Sequence, residues 1–334
     1  LFDIAVLAAV YFTTTFVISF VQFLYGVKNG FVKIRFQSIN LSIINFRKIV
    51  SIGSAVMLIA ISATTLRQGA PMLLGFLDGA EAVTLLTLIM LIVVTLQQFL
   101  TIPISFIGPQ ASILNAIDKK DRLYKLFINY SKYSFMAAIL ITLVFYYSGE
   151  ELLLLWLNIS IINISLIYDS TLILMLSLSF SIPILYARSV LSFVGKHTVT
   201  AVFELLLVTS GLIVGYFNIK YFDLSVQGIV IAVSFVFIVR SIGPILYVFI
   251  KYIGVHKSTY FKDLYLKNTF AFALSLMLIV TVDSVTIEVS NVMKIVNLIT
   301  IMSIYWYMVV ESHHRKRVYS IIMRNKYYAF PLNK

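Results

Sequence analysis

The fold of this chain is decided by an uncharged run at residues 83–106, which reads VTLLTLIMLIVVTLQQFLTIPISF. A helix of about 20 mostly apolar residues crosses the hydrocarbon core of a bilayer, so this run is long enough to span a membrane. Similar stretches bring the predicted spans to nine, at residues 3–25, 50–75, 83–106, 133–149, 168–195, 198–219, 228–250, 268–282 and 292–310. The sequence therefore predicts an all-α integral membrane protein with about nine transmembrane helices.

The composition excludes several classes of protein. The chain is 60% hydrophobic and only 12% charged, a profile foreign to water-soluble globular domains. Its 26 Lys and Arg against 14 Asp and Glu could suggest a nucleic-acid partner, but such proteins cluster their bases on a solvated face. Here the bases lie in the gaps between apolar spans, so we expect no nucleic acid. The absence of cysteine excludes disulfides, thiolate metal sites and thiol nucleophiles.

The charge in the gaps alternates in sign along the chain. Alternate gaps hold 21 of the 26 Lys and Arg residues, and the opposite gaps hold mostly Asp and Glu. Basic gaps face the cytoplasm by the positive-inside rule, so nine spans place Leu1 outside and the carboxyl tail inside. Leu1 already lies within an apolar run, with no charged leader before it, so we expect the natural start of the protein to lie upstream.

No arrangement of residues typical of an active site emerges. All four histidines fall in predicted cytoplasmic gaps or the tail, and Glu150 and Glu151 are adjacent rather than facing each other across a cleft. We therefore expect no catalytic residues, no cofactor and no metal. His313 and His314 could contact a metal or titrate near neutral pH, but a cationic tail lying on anionic lipid is the favoured interpretation.

Four ionisable residues lie deep inside the predicted spans, away from their ends: Arg67, Arg188, Glu204 and Arg240. A charge there is costly unless it is paired or faces water, so function is the default hypothesis. At 1.5 Å per residue, Arg188 and Glu204 lie about 10 Å and 9 Å from the inner ends of their spans, which predicts an ion pair. Arg188 could instead extend to the interface. Arg240 lies about 15 Å deep, near mid-membrane.

Prolines accompany these charges. Proline removes a backbone donor and kinks a helix, and the freed carbonyl is tolerated in a membrane only against protein or a wet cavity. Four prolines are predicted to break spans: Pro71, Pro103, Pro183 and Pro244. Helix breaks of this kind suit a bundle that opens and closes around a cavity.

Two segments resemble a known transporter family. Residues 66–83 read LRQGAPMLLGFLDGAEAV, and Pro103, Pro109 and the segment DKKDRLYKLF at 118–127 follow. Together with the order of spans and the loop charges, they resemble polysaccharide flippases of the multidrug/oligosaccharidyl-lipid/polysaccharide exporter superfamily, above all Wzx-type O-antigen and capsule flippases. Many relatives carry an Asp where this chain has Ala70. This chain therefore lacks the acid through which such relatives could couple transport to a cation.

The resemblance implies a division of the chain. Such transporters have 12 to 14 helices in two lobes that work by alternating access. The implied parts are the last helix of the first lobe (1–25), a basic cytoplasmic linker (26–49), the second six-helix lobe (50–252), two additional helices (253–311) and a basic cytoplasmic tail (312–334).

The resemblance and the charges together predict a flippase. It would move polyprenyl-diphosphate-linked oligosaccharides to the outer leaflet of a bacterial inner membrane, with the diphosphate on Arg67, Arg240 and Arg188. The implied partners are the lipid-linked oligosaccharide, membrane lipids, a polysaccharide polymerase and a chain-length regulator. The alternatives are a drug/cation antiporter of the same superfamily and a membrane glycan polymerase or acyltransferase.

Overall fold

The computed structural model of the chain describes residues 13–14, 16–22, 24–25, 43–157, 164–285, 291–316, 318 and 320. Over these residues the chain is helical, with turns between the helices and no strand. The helices are α1 (Ile43–Thr64), α2 (Ala70–Leu77), α3 (Ala80–Thr101), α4 (Ile104–Ala116), α5 (Lys120–Leu157), α6 (Ile164–Phe193), α7 (His197–Phe222), α8 (Ser225–Ile242), α9 (Pro244–Ile253), α10 (Lys257–Phe261), α11 (Lys267–Val285) and α12 (Asn291–Met308). Two π-helical segments, Thr65–Gly69 and Lys262–Leu266, join α1 to α2 and α10 to α11.

Seven stretches of helix in the described part are long and apolar enough to cross a membrane. They are Gly53–Leu77, Ala80–Thr101, Lys120–Leu157, Ile164–Phe193, His197–Phe222, Ser225–Ile253 and Lys257–Val282. This length and composition are those of a multi-pass membrane protein. An eighth apolar helix, Met293–Met308, is shorter.

Helix α3 shows how the sequence makes a spanning helix. Gly79 precedes it with φ 94°, a left-handed conformation that glycine adopts without strain. Glu81 lies in the first turn, where the helix dipole favours an acid. The buried side chains that follow recur at helical spacing: Ala82, Leu86, Ile89, Met90, Val93, Leu96 and Leu100. This stripe packs against α6, which also packs against α5 and α8 and is the most buried spanning helix described.

Helices α7 and α8 approach each other closely because glycines lie between them. A Cβ built on Gly211 would lie 2.3 Å from Val236 Cγ2, and one on Gly215 would lie 2.9 Å from Ile229 Cδ1. The pair forms a Gly-x-x-x-Gly motif, which lets membrane helices pack backbone to backbone. This close contact brings side chains of α7 within bonding distance of side chains of α8.

The gaps of like charge meet at the same end of the bundle. Four hydrogen bonds join them: Tyr124 to Asp263 and Tyr252 to Asn115 at one end, and Ser225 to Asp78 and Lys294 to Glu151 at the other. We call the first the basic end and the second the acidic end. The up-and-down order of the helices therefore matches the alternation of loop charge.

Several spans differ in length from the sequence prediction. The span predicted at 133–149 is part of a helix that runs from Lys120 to Leu157, and the one at 268–282 begins at Lys257. Hydropathy falls where charged residues begin, but lysine and glutamate are good helix formers, so the backbone stays helical beyond the apolar core. Of the span at 3–25, residues 13–14, 16–22 and 24–25 are described and helical.

Contacts divide the chain into two compact units, Leu1–Val50 and Ser51–Lys334, and everything below concerns the second. Six of the seven spanning helices lie between residues 53 and 253. In the predicted linker, residues 43–49 already belong to α1, while 26–42 lie outside the described residues. In the predicted tail, residues 312–316, 318 and 320 are helical, and the rest lies outside the described residues.

Candidate functional site

A cavity of about 80 Å³ lies between five helical segments of the bundle. A buried water needs roughly 10–15 Å³ of such volume, so the cavity has room for several water molecules. Its polar and charged lining residues are Ser62, Arg67, Gln97, Arg188, Glu204 and Arg240. The four ionisable residues singled out from the sequence therefore share one cavity.

Glu204 and Arg240 form a buried ion pair across the α7–α8 contact. Arg240 donates from Nη2 and Nε to Glu204 Oε2, at 2.8 Å and 3.2 Å. The side chains are only 2% and 6% exposed, respectively. Arg240 also lies 5.6 Å from the ring centroid of Phe237, within the range of a cation–π contact. Taking two charges out of water costs several kcal/mol per ion, so a pair placed this deep is weak evidence for a purely stabilising role.

Arg188 shares the same carboxylate. Its Nη1 lies 3.2 Å from Glu204 Oε1, so the two residues that the sequence paired by depth are in contact. The side chain of Arg188 is 28% exposed and lines the cavity as well. Glu204 Oε1 accepts no hydrogen bond from a described residue, so charge alone holds Arg188 there. One carboxylate thus serves two guanidinium groups.

Arg67 adds a third guanidinium to the cavity wall. It lies in the π-helical segment Thr65–Gly69, its side chain is exposed, and the described residues place no carboxylate within ion-pair distance of it. Among the described lining residues the walls therefore carry three positive charges and one negative, a surplus of two. This surplus of charge is complementary to an anion.

Two of the predicted helix breaks lie close to cavity arginines. Pro71 directly follows the π-helical segment that contains Arg67, and it has no N–H to donate within the helix. Pro244 lies four residues after Arg240, so it has no N–H for the carbonyl of that residue, and the chain leaves the helix at Gly243, where ψ is −175°. Helix irregularity and positive charge thus coincide at two places on the cavity wall.

The other two predicted breaks differ. Pro103 lies in the turn between α3 and α4, so a break is present there. Pro183 lies inside α6, and the helix continues through it, so the prediction of a break at Pro183 is wrong. Helix α6 is packed on several sides, and that packing holds the helical path despite one lost hydrogen bond.

Sequence reasoning missed two features of this site. Gln97 lines the cavity, and its signal was a pair of amides, Gln97 and Gln98, inside an otherwise apolar span. The contact between Arg240 and Glu204 was also missed, because their estimated depths differed. The Gly-x-x-x-Gly motif at Gly211 and Gly215 was the available signal that α7 packs tightly on a neighbouring helix.

A second charged cluster lies at the basic end. Lys132 Nζ donates to Glu311 Oε1 at 2.5 Å, and His313 Nδ1 lies 3.4 Å from Glu311 Oε2. Tyr133 Oη and His314 Nδ1 are 2.6 Å apart. The hydrogen bond from Lys132 lowers the pKa of Glu311 below its ordinary value. The residues around the predicted tail histidines therefore pack against α5.

Potential metal-ligand atoms of Glu311, His313 and His314 lie within 4.8 Å of one another. The ammonium of Lys132 already bonds the carboxylate, however, and it would repel a cation at this position. The cluster consequently fits a cation poorly.

The fold and the cavity together define a class: an all-helical protein with multiple membrane spans and a positively charged cavity inside the bundle. No family model, curated protein or solved structure matches the chain. The family resemblance drawn from the sequence therefore stays a prediction.

Proposed function

We propose that this protein is a flippase that moves polyprenyl-diphosphate-linked oligosaccharides from the cytoplasmic to the outer leaflet of a bacterial inner membrane. One observation carries the proposal: three guanidinium groups line a cavity between spanning helices, and the one carboxylate among its described lining residues pairs with only two of them. Guanidinium groups bind phosphate oxygens through two parallel hydrogen bonds, and their surplus charge is opposite to that of a diphosphate.

The small volume of the cavity bears on the proposed cycle. A volume of about 80 Å³ holds water but not a sugar, so in this proposal the helices around the cavity separate before a substrate enters. The π-helical segment at Arg67 and the break at Gly243 are two places beside the cavity where a spanning helix departs from regular α-helix. We assign the opening movement to these two places, with the lipid tail remaining in the bilayer.

While no substrate is bound, the carboxylate of Glu204 is the partner of the guanidinium groups of Arg188 and Arg240. A diphosphate that enters replaces Glu204 as the partner of Arg188 and Arg240, so neither guanidinium is left unpaired in either state. Outward movement of each negative charge across an inside-negative potential is favourable by about 2.3 kcal/mol per 100 mV. The membrane potential therefore supplies a direction for transport.

The charge balance argues against the antiporter alternative. An exporter of cationic drugs needs a free acid in its cavity, and Glu204 is the only carboxylate among the described lining residues. Two guanidinium groups already neutralise it. The surplus positive charge would repel a cationic drug from this cavity.

The experiment compares Arg67→Gln and Arg240→Gln with a control, Arg122→Gln, which removes the same charge from an exposed position at the basic end. The purified protein is placed in vesicles, and translocation of a fluorescent short polyprenyl-diphosphate sugar is followed. Both cavity variants are expected to lower the rate at least about tenfold, which corresponds to loss of one charge-assisted contact. Arg122→Gln should leave it unchanged.

Two results would overturn the proposal. The first is an unaltered rate in Arg67→Gln, whose side chain is exposed and whose loss should leave the fold intact. The second is transport of a cationic dye that Glu204→Gln abolishes, because this would identify the antiporter.

A further inference from the structure

We propose that the basic end of the bundle binds the headgroup of an anionic phospholipid, at a site separate from the transport cavity. The site is a cavity of about 630 Å³ between α5 and the π-helical segment Lys262–Leu266, which we call the basic cavity. Its charged lining residues are Lys125, Lys132, Lys262, Asp263, Lys267 and Glu311. This inference does not depend on which substrate the protein transports.

Both acids of the basic cavity already have partners. Glu311 is bonded by Lys132 at 2.5 Å, and Asp263 accepts a hydrogen bond from Tyr124 Oη at 3.0 Å. Four ammonium groups face two carboxylates, so the described lining carries a surplus of two positive charges before His313 is protonated. An anion is the complementary ligand.

Three lysines of the basic cavity are available to that anion. Lys125, Lys262 and Lys267 have exposed side chains, and no described carboxylate lies within 4 Å of their ammonium groups. Lys262 and Lys267 are five residues apart, at the beginning and just after the end of the π-helical segment, which has a wider turn than an α-helix. A phosphate that enters the cavity between α5 and this segment reaches lysines from both sides.

An apolar cavity of about 650 Å³ adjoins the basic cavity, and Asn129 lines both. Phe99, Leu100, Ile102 and Ala137 contribute to its apolar wall. Lys125, Asn129, Tyr133 and Ala137 follow one another at four-residue intervals on α5, so they advance about 18 Å along the helix. Along this line the lining changes from charged to polar to apolar.

This order of polarity selects a lipid rather than a free anion. A phospholipid presents its charged headgroup at the membrane surface and its acyl chains toward the bilayer centre. The basic cavity lies at the end of the bundle where the bases of the chain collect, and the positive-inside rule places that end in the cytoplasm. Basic pockets between spanning helices on this side are typical sites for anionic headgroups. The apolar cavity then receives part of an acyl chain.

The test measures lipid binding to the purified protein in neutral detergent, by native mass spectrometry and by thermal unfolding. The ligands are phosphatidylglycerol, phosphatidylcholine and inorganic phosphate. The variant Lys262→Gln/Lys267→Gln is compared with Lys119→Gln/Arg122→Gln, which removes the same charge from exposed residues of the same end that do not line the basic cavity. Ala137→Phe tests the apolar cavity.

We expect phosphatidylglycerol to bind and to raise the melting temperature more than phosphatidylcholine does. Lys262→Gln/Lys267→Gln should weaken that binding by about thirtyfold, since each of the two bases near an anionic headgroup contributes about 1 kcal/mol. Lys119→Gln/Arg122→Gln should retain it. Ala137→Phe should weaken binding of long-chain but not of very short-chain phosphatidylglycerol.

Three outcomes would overturn the proposal. Equal weakening by both double variants would show that phosphatidylglycerol responds to the general charge of this end. Equal stabilisation by inorganic phosphate would identify a free anion as the ligand. Equal binding of phosphatidylcholine would show that charge does not select the lipid. Native mass spectrometry separates a loss of binding from a loss of folding, because it reports bound lipid on the folded protein.

Discussion

Two glutamates among the described residues each pair with a buried base, and their surroundings differ. In the cavity lined by Arg67, Arg188 and Arg240, Glu204 is 2% exposed and is shared by Arg240 and Arg188. At the basic end, the side chain of Glu311 is 35% exposed, and Lys132 is the base whose ammonium lies within 4 Å of it. Both pairs bury a base almost completely, but only the first also buries the acid.

The comparison shows that an excess of positive charge means different things inside the bundle and at its exposed end. Water screens the surplus at the basic end, so it is cheap to keep there even without a ligand. Inside the bundle, water is scarce, and each unpaired charge costs several kcal/mol. Three arginines in a cavity with one buried carboxylate therefore indicate an anionic ligand more strongly than a larger number of lysines at the surface.

The sharpest way to break the comparison is to remove each acid in turn. Glu204→Gln leaves two guanidinium groups without a counter-charge and should destabilise the protein by about 3–5 kcal/mol. Glu311→Gln should cost less, about 1–2 kcal/mol, because it leaves one buried ammonium, that of Lys132, without a counter-charge, while solvent already screens the partly exposed carboxylate. The measurement is reversible unfolding of both variants in mixed micelles. Equal losses would show that the two pairs do not differ in the way described.

We expect two arginines of the cavity to contribute differently to stability and to transport. Arg240→Gln removes the hydrogen-bonded partner of Glu204, so it should lower both the unfolding free energy and the transport rate. Arg67→Gln should change the unfolding free energy by no more than about 0.5 kcal/mol, because the side chain is exposed and the described residues place no carboxylate beside it. Its transport rate should nevertheless fall about tenfold. Parallel losses in both variants would contradict this division of roles.

The α7–α8 contact that aligns Glu204 with Arg240 can be tested separately. In Gly211→Ala, the new Cβ would lie 2.3 Å from Val236 Cγ2, so the helices must shift apart. We expect a loss of about 1–3 kcal/mol in unfolding free energy. Gly53→Ala is the matched control, since no atom lies within 4 Å of its new Cβ. It should be neutral or stabilising by up to about 1 kcal/mol. If Gly211→Ala left the unfolding free energy unchanged, this contact would not be what aligns Glu204 with Arg240.

The smallest expected effect is a pH dependence at the basic end. The hydrogen bond from Lys132 lowers the pKa of Glu311 below its ordinary value of 4.5. Ionised Glu311 therefore stabilises the fold fully above that value, and the stabilisation is lost as the pH falls through the lowered pKa. The melting temperatures of the protein and of Glu311→Gln should differ above pH about 5 and converge in acid. If the difference in melting temperature instead grew as the pH fell, ionised Glu311 would not stabilise the fold through Lys132.

Much of the architecture followed from composition and spacing. An apolar run such as 83–106 has to become a helix in a membrane, because no water is present to bond its backbone. The spans between residues 50 and 252 all appear as helices in the structure. Their ends were less predictable, since Lys120 and Leu157 continue a helix well beyond the span predicted at 133–149.

The candidate site was predicted in its members but only in part in its arrangement. Arg67, Arg188, Glu204 and Arg240 were found because charge inside a span is costly and therefore conspicuous. Depth along a helix is a one-dimensional quantity, and it paired Arg188 with Glu204. It could not show that Arg240 bonds the same carboxylate, because that contact depends on the rotation and separation of two helices.

The amino-acid sequence by itself determined that this protein is helical, that its helices are long and apolar enough to span a membrane, and which charges lie within them. Each of these properties follows from neighbouring residues along the chain. Only the tertiary structure decided that three arginines share one cavity, that two of them share one glutamate, and that Asn129 lines two further cavities. Such contacts join residues far apart in the chain, and helix packing at Gly211 and Gly215 determines the distance between them.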